Sequence, residues 1–183
     1  MADGVHISEG FDLSLASILA RRGASEAAIG QAIAIEMPNG PTWTTTDIAE
    51  IVGTGPGTWL ALRRAASSGW FSELERRLTG LASMSDQTGA YRLFRFEGPD
   101  ARTLLQRGAP VDLSDSAFPA GSAAVTMIGH VDVIIRRLAD EQGYEVAVYR
   151  SYAESFLRWV DATVEGLPAT TSAPVVASAG AST

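Results

Sequence analysis

"EIVGTGPGTWLALRR", residues 50–64, decides the fold, because its glycines suit either a phosphate-binding turn or the loop of a β-hairpin. A dinucleotide fingerprint needs G-x-G-x-x-G between a strand and a long helix, whose N-terminal amides meet the pyrophosphate. Here the spacing is G-x-G-x-G, Pro56 removes an amide donor inside the turn, and "TWLALRR" continues as a strand. The stretch therefore predicts a hairpin in which glycines supply positive φ angles and Pro56 stiffens one corner.

The residues around this hairpin predict one further strand and two helices. "FDLSLASILARRG", residues 11–23, alternates apolar and small polar side chains, which favours a strand over the rival interpretation of a helix ending at Gly23. Ser25 can cap a helix whose apolar spacing runs to Met37, before the "PNGP" that ends it. "SGWFSELERRLTGL", residues 68–81, has a single apolar helical face. The first half reads strand, helix, strand, strand, helix.

The same order of elements returns from residue 86 onward. "GAYRLFRFEG" predicts a strand, "PDARTLLQRG" a short helix with proline in its first turn, and "SYAESFLRWVDATV" a closing amphipathic helix. Between those helices, "AAVTMIGHVDVIIRRL" and "YEVAVYR" supply further strands. In both halves an arginine follows the last strand, Arg64 in one and Arg150 in the other. We predict an α+β fold made of duplicated β-α-β-β-α units, with helices packed on an antiparallel or mixed sheet.

The length of 183 residues fits one domain, which buries about 70% of its unfolded surface. We predict a single α+β domain over residues 1–166, with halves of about 5–82 and 86–164. Residues 167–183 are small, uncharged and without periodicity. Such a segment cannot bury enough surface to offset its ordering entropy, so we predict a disordered C-terminal tail.

Composition excludes several classes of function. The net charge of −7 leaves no basic stripe for nucleic acid. All basic residues are arginines, and cysteine is absent, which excludes a Schiff-base lysine, thiolate nucleophiles and cysteine-type zinc sites. No apolar run approaches the roughly 20 residues that span a bilayer. The N-terminus does not resemble a secretory signal, so we expect a cytoplasmic protein that binds neither nucleic acid nor membranes.

A single histidine–carboxylate pair offers the nearest approach to catalytic chemistry. His130 and Asp132 would share one face of a strand, where they could orient a base or begin a metal site. The chain has only two histidines, and zinc needs three or four ligands, so a structural or solvated pair is favoured. We predict no catalytic, cofactor-binding or metal-binding residues in this chain.

Arginines at strand ends are the candidate contact residues. Forked guanidinium groups could clamp a carboxylate of a ligand or partner, although surface pairing with Asp or Glu is the favoured interpretation for any one of them. Those with a possible contact role are Arg150, Arg64 and Arg137, beside Arg63 and Arg136. The large aromatic residues fall at core spacing and are predicted to be buried: Trp59, Trp70, Tyr152, Phe156 and Trp159.

Several segments in order resemble the γ-subunit family of heterotetrameric sarcosine oxidases. They are "GPGTWLAL", the block from Gly98-Pro99 to Arg107-Gly108, "PVDLSDSAFPAG" and "YRSYAESF", within a resemblance that runs from about Val5 to Val160. The family is related in fold to the N-terminal, folate-binding domain of the glycine-cleavage aminomethyltransferase. The resemblance assigns Gly55, Pro56 and Trp59 to a structural Gly-Pro-x-x-Trp hairpin.

The resemblance implies membership of a complex that demethylates sarcosine or a related N-methyl amine oxidatively and passes the one-carbon unit to tetrahydrofolate. In such complexes the α subunit carries NAD and the folate site, the β subunit carries FAD, and FMN lies between them. A δ subunit binds zinc. The γ subunit is not known as the seat of chemistry, so the resemblance implies α, β and δ partners and no catalytic residue here.

Two hypotheses follow. A noncatalytic structural subunit predicts an exposed apolar patch that partners cover. A free-standing folate- or amine-binding protein of the same fold predicts a monomer with a polar-lined pocket.

Overall fold

The computed structural model describes residues 4–10, 12–65, 68–139 and 143–166. It confirms the α+β prediction: ten strands form two five-stranded antiparallel sheets, and four α-helices accompany them. None of the described helices combines the length and the apolar character needed to cross a membrane.

The elements follow the chain in this order. The strands are β1 (His6–Gly10), β2 (Leu13–Ala20), β3 (Trp43–Thr45), β4 (Glu50–Gly55), β5 (Thr58–Arg64), β6 (Ala82–Asp86), β7 (Tyr91–Glu97), β8 (Ala123–Ile128), β9 (Val131–Arg137) and β10 (Tyr144–Tyr149). The helices are α1 (Glu26–Ile33), α2 (Trp70–Arg77), α3 (Ala101–Gln106) and α4 (Ala153–Glu165), and one turn of 3-10 helix, Arg150–Tyr152, precedes α4.

The chain divides into two compact units. Unit 1 comprises Met1–Gly10, Tyr91–Ala120 and Thr126–Thr183. Its sheet has the order β1-β7-β10-β9-β8. Alternation along β7 points Phe94 and Phe96 to one face, where the ring of Phe156 from α4 lies 5.8 and 6.1 Å from theirs. The α4 helix therefore packs its apolar stripe on β7.

Unit 2 comprises Phe11–Ala90 and Gly121–Val125, and its sheet has the order β3-β4-β5-β2-β6. One sheet face and the apolar stripes of α1 and α2 form its core, as their spacing predicts. The largest members are Ile18, Ile29, Ile33, Ile51, Trp59, Trp70, Leu74 and Leu78.

The glycine-rich stretch forms the hairpin between β4 and β5. Gly55 ends β4, and Pro56 and Gly57 make the two-residue loop, with Gly57 at a φ of +65°. A Cβ at Gly53 would overlap the backbone carbonyl of Gly40, so this position requires glycine. Trp59 is buried, and its indole N–H donates to the Pro38 carbonyl at 3.0 Å.

The first helix ends earlier than its spacing predicts. The Ser25 hydroxyl accepts from the Ala28 amide at 3.1 Å, which confirms the cap. The helix nevertheless ends at Ile33, since Ala34 adopts a left-handed φ of +56°. Met37 lies outside the helix but is still buried. Apolar spacing thus continued beyond the helix because the following segment also packs on the core.

Two strands, β1 and β6, were not predicted. Their sequences, "HISEG" and "ASMSD", are short and polar, and they occupy sheet edges beside β7 and β2. Because β1 pairs with β7, unit 1 takes up the start of the chain, and the boundaries of the units differ from the halves of about 5–82 and 86–164. The repetition itself stays a prediction, and the predicted tail, residues 167–183, lies outside the described residues.

Candidate docking surface

The β8–β9 hairpin fixes which side chains lie together at one end of the unit 1 sheet. Gly129 and His130 both have positive φ angles, +58° and +67°, as in a two-residue type I′ loop. Such a loop sets Ile128 opposite Val131 and hence Met127 beside Asp132. The prediction that His130 and Asp132 share a strand face is wrong, because His130 lies in the turn.

A row of side chains crosses four neighbouring strands from this hairpin. Tyr91 of β7 pairs with Tyr149 of β10. The register of β10 with β9, extended by one residue from Val148 and Val133, places Asp132 beside Tyr149. Met127 completes the row on β8. We call Tyr91, Tyr149, Asp132 and Met127 the tyrosine row.

The tyrosine row offers aromatic and apolar surface to a partner. The Tyr91 and Tyr149 rings stack with centroids 4.4 Å apart and an interplanar angle of 26°. Tyr149 is 43% exposed and Met127 is 50% exposed. Burial, and then a hydrogen bond with Tyr149, raise the pKa of Tyr91 above its usual range. Tyr91 therefore stays a neutral phenol at physiological pH.

The 3-10 turn that follows β10 carries two exposed side chains. Arg150 begins this turn and Tyr152 ends it, with Tyr152 54% exposed. The prediction that Tyr152 is a core residue is wrong, since α4 begins at Ala153 and Tyr152 precedes its first turn. Trp59, Trp70 and Phe156 are buried as predicted, whereas Trp159 is only half-buried.

The composition of this surface is that of a protein-docking site. Tyrosine, methionine and arginine are enriched at interfaces, because aromatic rings bury large areas at low entropic cost and the flexible thioether adapts to irregular contacts. Within the described residues, no group of three or more His, Asp or Glu side chains could hold a metal ion.

Arg137 anchors a surface segment of unit 1. Its guanidinium donates to the Phe118 carbonyl at 3.0 Å, pairs with Asp115 at 2.7 Å and lies over the Tyr144 ring. Arg102 pairs with the same carboxylate at 3.3 Å, and both arginines hold the pKa of Asp115 below its usual range. These contacts fix the "PVDLSDSAFPAG" segment.

The other strand-end arginines also have partners within the chain. Arg64 pairs with Glu50 at 3.4 Å, and Arg63 donates to the Ile48 carbonyl at 2.9 Å. Arg136 and Glu145 form a buried ion pair across β9 and β10, with Nε of the arginine 3.0 Å from Oε2. The structure brings Arg136 and Arg137 to one strand end and leaves Arg150 on the exposed turn.

Sequence reasoning missed the tyrosine row. Tyr91 and Tyr149 stand at the ends of their strands, and Tyr149 directly precedes Arg150 in "AVYRSY". The signal was therefore an aromatic residue at the end of each of two strands. Its meaning depends on the pairing of β7 with β10, which sequence spacing alone does not specify.

An open groove of about 480 Å³ is a candidate ligand site. It lies between α3 and the following loop. Its lining residues are Arg102, Thr103, Gln106, Arg107, Asp112 and Ser114. Gln106 itself is engaged: its side chain bonds to the backbone of Leu113 at 2.7 Å and of Val111 at 2.8 Å.

Comparison with known proteins places the fold. A family model described as the GCVT N-terminal domain matches residues 22–166. No curated protein sequence matches the chain.

Solved structures with a similar fold include the following two. One is a heterotetrameric sarcosine oxidase from Corynebacterium sp. U-96 in complex with pyrrole 2-carboxylate, with a TM-score of 0.79, 21% identity, and coverage of 94% of this chain and 88% of that chain. The other is the glycine cleavage system aminomethyltransferase T from Bartonella henselae, with a TM-score of 0.66 and 13% identity. That match covers 88% of this chain but 47% of the aminomethyltransferase chain.

Proposed function

The chain belongs to the GCVT N-terminal domain family, and on that basis we propose that it is a noncatalytic, γ-type subunit of a heterotetrameric flavoenzyme complex. The complex demethylates sarcosine or a related N-methyl amine oxidatively. It passes the one-carbon unit to tetrahydrofolate. Its other members are α, β and δ subunits.

The correspondence of whole chains carries this proposal. The match to the heterotetrameric sarcosine oxidase covers nearly all of both chains, whereas the aminomethyltransferase chain is about twice as long as its match. Because the match covers 94% of this chain and 88% of a chain of a heterotetramer, it favours a subunit role.

The exposed side chains of the tyrosine row also support the proposal. The exposed Tyr149, stacked on the half-buried Tyr91, and the exposed Met127 on the same sheet face leave apolar surface in water, and a partner that covers this surface would stabilise it. We assign docking of a larger subunit to this surface.

The cofactors of the complex are proposed to lie on other subunits: FAD, FMN, NAD, tetrahydrofolate and zinc. In the glycine-rich stretch, β5 follows the loop where a pyrophosphate site needs a helix N-terminus.

Sarcosine turnover with and without this chain tests the proposal. The gene products encoded beside this chain are co-expressed with it, and the purified complex is assayed for flavin absorbance and for sarcosine oxidation with tetrahydrofolate present. We expect flavin-containing partners to co-purify with the tagged chain, and omission of the chain to impair assembly or turnover. A complex that assembles and turns over equally well without it would contradict the subunit role.

The second candidate is a free-standing folate- or amine-binding protein. The polar groove along α3, with Arg102 and Arg107 on its wall, is the observation that favours it, because arginine suits the glutamate carboxylates of folate. Titration with tetrahydrofolate, followed by calorimetry, separates the two candidates. Saturable binding by a monomer that has no protein partner would favour this second function.

A further inference from the structure

Of the four edge strands in the described sheets, β8 is the one left unprotected. The edges are β1 and β8 in one sheet and β3 and β6 in the other. β3 has three residues, and β1 and β6 carry Glu9 and Asp86. β8, "AAVTMI", has six residues without charge or proline. Folded proteins shorten or charge their edge strands to prevent pairing with other chains, and β8 lacks both devices.

The hairpin geometry shows which backbone groups of β8 face outward. Ile128 and Val131 flank the two-residue turn and form a hydrogen-bonded pair, so the Ile128 amide points toward β9. Alternate residues along a strand present their amide and carbonyl groups to opposite sides. The backbone groups of Val125 and Met127 therefore point away from β9.

One hydrogen bond supports this assignment. Ala123, Val125 and Met127 are alternate residues of β8, so their backbone groups point to the same side. The Ala123 amide donates to the Pro41 carbonyl at 2.7 Å. At the first residue of β8, the outward side of the strand thus already forms a backbone hydrogen bond with another segment of the chain. Further along, in the described part of the sheet, no strand follows β8 in the order.

The side chains of the two outward residues are exposed as well. Val125 is 56% exposed and Met127 is 50% exposed. An arriving strand would gain main-chain hydrogen bonds from the edge and apolar contact from these side chains.

We propose that an extended, uncharged segment of a partner subunit pairs with β8 at Val125 and Met127 and continues the sheet of which β8 is the edge. The identity of the occupant rests on the proposed function. A second copy of this chain is disfavoured because both copies would carry a net charge of −7. The edge is also continuous with the tyrosine row, since Met127 belongs to both. One partner would therefore cover the edge and the row together.

Amide hydrogen exchange in the complex tests the pairing. The full chain is compared, free and in the co-purified complex, by mass spectrometry with fragmentation that resolves single amides. We expect exchange at Val125 and Met127 to slow at least tenfold in the complex, because new hydrogen bonds form there. Thr126 and Ile128, which point toward β9, should be protected in both states.

A proline substitution gives a second, independent readout. Met127→Pro removes an outward amide without removing a bond to β9. We expect it to weaken the complex about tenfold, which corresponds to one lost hydrogen bond in a desolvated interface. The conservative variant Met127→Leu keeps the amide and an apolar side chain, so it should weaken the complex far less than Met127→Pro does.

The outcomes separate this inference from the proposed function. A complex that forms without protection of Val125 and Met127 overturns the pairing and leaves the subunit role standing. A chain that stays monomeric beside its co-expressed neighbours overturns both. A homodimer protected at these amides identifies the occupant as a second copy and contradicts the partner subunit.

Discussion

Two glycines of unit 1 make room for one tryptophan. A Cβ at Gly108 or at Gly129 would overlap the indole ring of Trp159, and Gly129 also has a positive φ of +58°. The ring of Trp159, on α4, lies 6.0 Å from that of Phe156, which packs on β7. Glycine at these positions therefore fixes how closely α4 approaches.

Substitution of Gly108 by alanine should destabilise the protein by about 2 kcal/mol, because the added methyl forces the Trp159 ring to move. Urea unfolding followed by circular dichroism measures the free energy of unfolding. Gly89→Ala is the matched control, since nothing lies within 4 Å of its new Cβ. The crowding account would be wrong if Gly108→Ala and Gly89→Ala had equal effects.

The Glu73 carboxylate gives α2 a pH-dependent contribution. It accepts from Arg76 Nε at 2.9 Å and from Arg77 Nε at 2.7 Å. The hydrogen bonds from Arg76 and then Arg77 lower the pKa of Glu73 from 4.5 to about 2. Because the folded-state pKa is lowered, the stabilisation is fully present above about pH 4.5 and is lost as the pH falls toward 2.

Glu73→Gln should therefore lower the melting temperature slightly near pH 7, and the difference from the wild type should shrink as the pH falls below 4.5. Thermal unfolding at pH 7, 4.5 and 3 measures it. A difference that stays constant over this range would show that the carboxylate charge is not responsible.

At the scale of elements, the β4–β5 hairpin depends on Trp59. Its indole N–H is the donor to the buried Pro38 carbonyl, and the ring joins the core of unit 2. The Trp59 side chain therefore connects the hairpin, through this hydrogen bond, to the segment that follows α1.

Trp59→Phe should destabilise the protein by about 1–3 kcal/mol, because it leaves the Pro38 carbonyl without this donor and removes buried ring area. Chemical denaturation gives the free energy, and crystallography or NMR of the variant shows whether the hairpin is kept. A loss below about 0.5 kcal/mol would contradict the importance of this hydrogen bond.

The elements that sequence specified are those with a local physical cause. The hairpin around Pro56 follows from turn chemistry, and the start of α1 follows from the Ser25 cap. The end of α1 could not be read from apolar spacing, because Met37 packs on the core from a nonhelical segment. Capping and turn residues predict where an element begins. Apolar spacing does not predict where a helix ends when the segment after it is also buried.

The candidate site was harder to predict than the fold, because it is made by strand pairing. Tyr91 and Tyr149 are 58 residues apart in the chain and meet only through the register of β7 with β10. Arg137 was a contact candidate by its position at a strand end, yet Phe118 and Asp115 engage it within the chain. The position of a residue in the sequence identified the strand ends but not the residues that contact them.

At the scale of the whole molecule, the tyrosine row predicts where partner-blocking substitutions lie. Tyr149→Asp should leave the fold intact, because the residue is 43% exposed, and should weaken association at least tenfold by adding a charge to a desolvated contact. Association is measured by titrating the partner subunits onto the immobilised chain.

Leu19→Asp is the matched control for Tyr149→Asp, since Leu19 is 53% exposed and lies on β2 of unit 2. It should bind as the wild type does. Arg150→Ala, on the turn that follows Tyr149, should weaken association while leaving the fold intact. Equal affinities for the variants of Tyr149 and Leu19 would remove the tyrosine row from the interface.

The most direct test of the subunit role is the mass of the particle that contains this chain. The tagged chain is co-expressed with the gene products encoded beside it and analysed by size-exclusion chromatography with light scattering and flavin absorbance. The account predicts a flavin-containing heteromer with one copy of this 19.3 kDa chain in each complex. A colourless monomer that elutes apart from those co-expressed proteins would contradict it.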